Sequence, residues 1–432
     1  MKKALITALI FLFCSLLWAD ALTDYAKAYE KAYQHSGINE TSYNEMMKIL
    51  TEEQEYPDYY TSQNPDGSCY YYESTPETCL GSHWIDDTVI DWTKKMGMRF
   101  IRITLYWSAM ADKDGNINKD YRAEWHGTMD RCKKAGIIPV IVVHSQPEGY
   151  SFANREECYK AFAEFMAWCV KEYPYCRYWE PWNEMDELFT DVFGARVQKE
   201  DGSFYSSIEK GAFYTEMLKL CYPAMKKANP KTIVICGAPI NSNEFVEGIY
   251  RAGAKDYFDI MNMHTYSTPN KWSFVSKGVQ TRAIMNRYGD YRKSLWNTEF
   301  GTEGAKYYRT YGIPKEDPLG TFDRFQKEEI ASCITINNKI GLYNKAFIYQ
   351  YVGAAEDAKN EINAAIDFPE GDSIENYSFS ILRTDGTPRP SMQWLIDSQV
   401  NSKVPSKSER EVNFKSRIMK ISIPSDYPVL IK

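Results

Sequence analysis

Seven short runs of almost unbroken apolar character recur along this chain, beginning near residues 99, 137, 178, 232, 258, 295 and 346. Amphipathic helical stretches separate or precede them, at 86–96, 119–135, 155–172, 209–228, near 243–253, 276–288 and 321–339. The clearest is 155–172, where Cys158, Phe162, Phe165, Met166 and Cys169 fall on one stripe and Asn154 with Glu157 reads as a capping-box start. Strands that are apolar on both faces belong to a parallel sheet covered by helices. With an eighth strand hidden within 56–83, closure as a (β/α)8 barrel follows. A doubly wound open sheet is the alternative, but no Gly-rich phosphate loop follows any strand.

The division expected is a leader at 1–21, a helical and loop extension at 22–83, the barrel at 84–400 and a C-terminal tail at 401–432 that reads as a hairpin or a fray. Lys2 and Lys3, an apolar run and Ala19-Asp20-Ala21 make the leader a secretory signal. The expected location is therefore secreted or periplasmic, where disulfides are permitted. Of ten cysteines, Cys14 goes with the leader. An odd number remains, with Cys69 and Cys79 the candidates for a local bridge and Cys158 and Cys169 for the core. The net charge of -7 and the lack of any Lys/Arg-rich run argue against nucleic acid. No apolar stretch is long enough to span a membrane. With five histidines and no H-E-x-x-H motif, no metal or other cofactor is expected. Asp112-Lys113-Asp114-Gly115-Asn116 places its glycine too early for an EF-hand and reads as a turn.

Chemistry concentrates at the ends of the strands. Tyr178-Trp179-Glu180-Pro181-Trp182-Asn183-Glu184 sets an amide beside a carboxylate between indoles, and Leu295-Trp296-Asn297-Thr298-Glu299-Phe300-Gly301 supplies a second carboxylate. Such groups are costly to bury for packing alone. Strand alternation would put Glu180, Trp182 and Glu184 on one face, Asn297 with Glu299, Asn262 with His264 and Tyr266, and Arg102 with Thr104 and Tyr106. The polar ends sit where barrel active sites form. Glu180, deeper on its strand, reads as a structural partner for Arg102. Alone, His264 would read as a core histidine, but Tyr266 two residues on makes it a site candidate. Trp179, Trp182 and Trp296 read as core, whereas Trp107 and Trp272, in expected loops, read as platforms for sugar rings.

These motifs resemble the clan A glycoside hydrolases, retaining enzymes on (β/α)8 barrels. Arg102, His144 and His264-Thr265-Tyr266 are similar to the pattern of family 5, the cellulase and mannanase family. Glu180-Pro181-Trp182-Asn183-Glu184 looks more like family 39, and 380–390 resembles the segment that closes such barrels. Two positions depart from the pattern: Met185-Asp186 follows Glu184 where Pro is usual, and Tyr349-Gln350-Tyr351 ends the eighth strand in place of Trp. The resemblance implies Glu184 as acid/base and Glu299 as nucleophile, with like charge keeping Glu184 protonated until Glu299 is esterified. It also implies Asn183 on a sugar 2-hydroxyl, Arg102 and Tyr266 donating to Glu299, and His144 and His264 touching hydroxyls or orienting those donors. The function expected is hydrolysis of a β-linked polysaccharide or oligosaccharide by two glutamates. The alternative is a barrel that binds a glycan without cleaving it.

Overall fold

The computed structural model describes residues 27–52, 76–186, 191–290, 293–312, 316–352, 379–383 and 385–401, with the dipeptides Ser62–Gln63, Cys69–Tyr70 and Leu430–Ile431. The leader lies outside the described residues, as does most of the tail.

Eight parallel strands alternate with eight helices. The strands are β1 (Glu77–Gly81), β2 (Phe100–Tyr106), β3 (Ile138–His144), β4 (Tyr178–Pro181), β5 (Ile233–Val234), β6 (Met261–Thr265), β7 (Leu295–Phe300) and β8 (Lys345–Ile348). The helices that follow them in turn are α1 (Asp87–Lys95), α2 (Lys119–Ala135), α3 (Arg155–Glu172), α4 (Ser207–Ala228), α5 (Asn243–Arg251), α6 (Asn270–Arg287), α7 (Pro318–Ile340) and α8 (Pro390–Ser398), with further helices at Glu40–Glu52, Trp107–Met110 and Gly304–Tyr311. Hydrogen bonding runs β5-β4-β3-β2-β1-β8-β7-β6, and the bridges Ile235 to Ile260 and Ile240 to His264 join the two ends. The sheet is closed as a (β/α)8 barrel, and the strand missing from the sequence pattern is Glu77–Gly81. Its Glu77 and Thr78 break the apolar run that marks the others.

Local chemistry explains the helix ends. Asp86 caps α1 by accepting from the Val89 amide, and Asn118 caps α2. Gly97 and Gly136 take φ of +71° and +72°, the left-handed turn that lets each helix stop and the next strand begin. Asn154 does not cap α3. Instead it closes a capping box with Ser151 on the preceding turn Phe152–Asn154, one step upstream of the expected box. α6 starts at Asn270 and α7 at Pro318, earlier than the apolar periodicity of their later turns indicates.

The barrel interior is layered. Low in it, the rings of Phe100, Tyr178, Trp296 and Phe347 touch, with Tyr178 and Trp296 centroids 5.3 Å apart. This apolar floor excludes water beneath the polar layer of Arg102, Glu180, Asn262 and Thr298, all buried. The cysteine expectation divides: Cys158 and Cys169 are in the core, but Cys79 is a free buried thiol within β1 and forms no bridge to Cys69. β1 is hydrogen-bonded on both sides, to β8 and β2, which holds Cys79 inside the wall of the barrel. The Asp112–Asn116 segment is a turn, with Asp112 accepting from the Asn116 backbone and side chain.

Candidate active site

Two departures from regular strand geometry aim the carboxylates. β4 ends at Pro181, and Trp182 (φ +74°) and Glu184 (φ +46°) then adopt the left-handed conformation that side chains avoid. The turn breaks the expected alternation. Trp182 swings outward to pack edge-on against Phe162 and Phe193, while Glu184 turns into the barrel mouth. On β7 the cause is a bulge. Between Asn262 and His264 β6 advances two residues while β7 advances three, from Trp296 to Glu299, and β8 registers the same extra residue. Thr298 and Glu299 therefore both face inward. Asn297, expected to share the face of Glu299, instead gives its amide to Thr265.

Arg102 ties the polar layer together. Its Nε donates to Glu180 Oε2 at 2.9 Å, one terminal nitrogen to Glu299 Oε1 at 2.5 Å, and the other to Asn183 Oδ1 at 2.8 Å. Glu180 also accepts from Asn262 Nδ2 at 2.9 Å and the Ala238 amide at 3.3 Å, which makes it the buried counter-charge of Arg102. Glu299 Oε2 accepts from the Tyr266 hydroxyl at 2.8 Å. His264 Nδ1 lies 2.8 Å from Glu184 Oε1, and its Nε2 lies 2.9 Å from Thr298 Oγ1. One oxygen of Glu184, one of Glu299 and a nitrogen of His264 all fall within 4.8 Å of one another.

The electrostatics separate these groups. Burial pushes the Glu299 carboxyl up, but His264, Arg102 and the hydrogen bonds from Tyr266 and Arg102 outweigh it, and the net shift is downward. Burial pushes His264 down to about 4, so it is neutral at neutral pH and Arg102 and Tyr266 then carry the stabilisation of Glu299. His144 is likewise pushed down to about 4 by burial and by Arg102, and its Nδ1 lies 2.8 Å from Ser145 Oγ. Burial, then the Glu299 charge, raises Tyr266 well above the ordinary phenol range, which keeps it a donor.

Among the described residues, Glu184, His264 and Glu299 also have a spacing that suits a metal ion. Both Glu299 oxygens already accept from protein donors, one of them a guanidinium. A cation there would compete with a fixed positive charge, so the donor set fits a carboxylate pair better than a metal.

The pocket at the barrel mouth is lined by Arg102, His144, Asn183, Glu184, Tyr266 and Glu299, together with Gly81, Ser82, His83, Thr104, Tyr106, Ile240, Lys306, Tyr349 and Phe379. Trp107 and Trp272 do not line it. Trp107 is buried against Tyr150, Phe162 and Phe165 because β2 leads directly into the short helix Trp107–Met110, which turns the indole toward α3. Trp272 is half-buried in the first turn of α6. The aromatic lining comes instead from Tyr106, Tyr266, Tyr349 and Phe379, with Tyr266 and Phe379 centroids 5.1 Å apart. Tyr106 was legible from its alternation with Arg102. His83 follows the strand that the sequence pattern hides. Gly301 lets Tyr349 come close: a Cβ there would meet the Tyr349 carbonyl at 2.2 Å.

Residues 69–334 match the family model for cellulase, glycosyl hydrolase family 5. A 6-phospho-beta-galactosidase of Streptococcus mutans is 28% identical over 126 residues, which are 28% of this chain and 26% of that protein. This chain thus aligns with about a quarter of the length of such relatives. A family 39 glycoside hydrolase from Bacteroides cellulosilyticus superposes with a TM-score of 0.53 at 19% identity, covering 77% of this chain and 64% of that one. A monomeric beta-xylosidase from Caulobacter crescentus gives 0.53 at 15% identity, covering 78% and 69%. At these identities the superpositions speak to the barrel fold.

Proposed function

The chain belongs to glycosyl hydrolase family 5, and from that premise we propose that it is a retaining β-glycosidase acting through Glu184 and Glu299. The observation that carries this reading is the separation of the two carboxylates, with an oxygen of each within 4.8 Å. Retaining enzymes hold their carboxyls about 5–5.5 Å apart, whereas inverting ones need about 6.5–9.5 Å to admit a water between.

In this reading Glu299, kept ionised by Arg102 and Tyr266, attacks the anomeric carbon. Glu184 gives its proton to the departing glycosidic oxygen. Glu184 then takes a proton from water, which attacks the same carbon and releases Glu299 from its ester. Asn183 has its carbonyl occupied by Arg102, so its NH2 is the end offered to a sugar hydroxyl. The substrate proposed is a β-linked polysaccharide or its oligomers, met outside the cytoplasm after export directed by residues 1–21. The aromatic lining suits the C–H faces of sugar rings, and the beta-glycosidase names among the relatives point the same way.

The test begins with aryl β-glucosides, xylosides, mannosides and galactosides and their 6-phosphates. On the sugar that is cleaved, Glu299→Gly should abolish hydrolysis. Azide should then restore turnover by attacking the anomeric carbon as the aryl alcohol leaves, yielding the α-glycosyl azide. A wild-type protein that binds glycans but cleaves none of the panel would be a binding barrel, and the enzymatic reading would fall.

A further inference from the structure

The bonds around His264 assign its proton. Asn262 Oδ1 accepts from two backbone amides, Met263 N at 2.9 Å and Thr298 N at 3.1 Å. That fixes the amide orientation, so Nδ2 is the donor to Glu180 Oε1 at 2.9 Å and to Thr298 Oγ1 at 2.7 Å. Thr298 Oγ1, accepting from Asn262, has one hydrogen to give. His264 Nε2 stands at 2.9 Å, whereas Glu180 Oε1 stands at 3.5 Å. The hydroxyl oxygen could also accept from an Nε2–H, but the shorter distance directs its own hydrogen to Nε2 rather than to Glu180.

The other side of the ring agrees independently. Nδ1 faces two carboxylate oxygens, Glu184 Oε1 at 2.8 Å and Glu299 Oε2 at 3.6 Å. A lone pair there would be repelled by the Glu299 charge, whereas an N–H is attracted by both. We infer that Asn262 and Thr298 are positioning residues which lock neutral His264 as the Nδ1–H tautomer, so that Oε1 of Glu184 is always an acceptor and its catalytic proton resides on Oε2. In the opposite wiring Glu184 would point its proton at His264 Nδ1 as a hydrogen bond, away from the leaving group. The lock thus decides which oxygen of Glu184 works as the acid.

The charged groups around His264 are Glu184, Glu299, Arg102 and Glu180. Their balance with burial leaves the ring neutral at neutral pH, where the tautomer can be read directly. The inference rests on Glu184 being the acid, so its test has a readout that needs no substrate. Long-range 1H–15N correlation on protein labelled at its five histidines, with His264→Gln to assign the signals, should give at pH 7 a protonated Nδ1 and an unprotonated Nε2. An Nε2–H tautomer or an imidazolium would overturn the inference whatever the sugar.

The second arm compares leaving groups. Thr298→Val removes the hydroxyl at nearly constant volume. It should lower kcat/KM for a phenyl glycoside by about 10- to 100-fold more than for the 2,4-dinitrophenyl glycoside, which needs no acid. Thr298→Ser should restore the wild-type ratio. Equal losses on both substrates would make Thr298 merely structural and would also overturn the inference. If Thr298→Val does not fold, the tautomer in wild type and in Thr298→Ser still decides. If no glycoside is cleaved, the enzymatic reading fails while the resonances still report the lock.

Discussion

At the tip of β4, Glu184 stands three residues past the end of the strand, carried into the mouth by two side-chain-bearing residues in left-handed conformation. At the tip of β7, Glu299 still belongs to its strand and is turned inward by one extra residue. The partners differ as the backbones do. Glu299 accepts from a guanidinium and a phenol, and Glu184 stands 2.8 Å from an imidazole that burial keeps neutral. Two copies of one side chain, within 4.8 Å of each other, are thus given unequal donors. A charged donor stabilises the carboxylate strongly, and a neutral one leaves room for the protonated form. Such a pair can divide the labour of nucleophile and acid.

The largest blow to that contrast is Arg102→Met. It leaves Glu180 and Glu299 buried without their cation, and the expected cost is about 3–5 kcal/mol of folding stability, measured by urea unfolding at pH 7. Activity should fall below detection. A variant that kept wild-type stability would mean that Arg102 is not the charge holding this layer together.

Glu184→Gln tests the other side. It should lower kcat/KM on a phenyl glycoside by about 10²- to 10⁴-fold. The loss should be far smaller on a dinitrophenyl glycoside and should leave stability nearly unchanged. If both substrates suffer alike, the two carboxylates do not differ in role.

Tyr266→Phe sharpens the contrast without destroying it. The native Glu299 pKa is depressed, so Glu299 is ionised above it and activity is lost as pH falls through it. Removing the phenol donor raises that pKa. The acid limb of the kcat/KM profile should therefore move to higher pH. An acid limb that stays in place would show that the Tyr266 bond does not serve Glu299. Smallest of all, Trp272→Ala should leave KM within about twofold, since the indole lies away from the pocket lining and near-neutral contacts are the rule outside anchoring positions. A large rise in KM would return Trp272 to the site.

Seven strands, their helices and the parallel closed sheet were legible because burial on both faces writes a continuous apolar run, and amphipathic helices write a stripe. The candidate pair Glu184 and Glu299 was legible for a related reason: carboxylates, amides and indoles at the ends of apolar strands have no cheap explanation in packing. Only the tertiary structure decided which way those side chains point. Strand alternation holds while hydrogen-bond registers stay regular. The left-handed turn at Trp182 and the extra residue in β7 both break it, and neither is written in residue type. The same limit explains Trp107, which looks like a loop residue in sequence and becomes core once β2 runs straight into a helix. It explains Thr298 as well. A threonine inside a strand is ordinary until a bulge turns its hydroxyl inward, beside Asn262 and His264 and one residue short of Glu299.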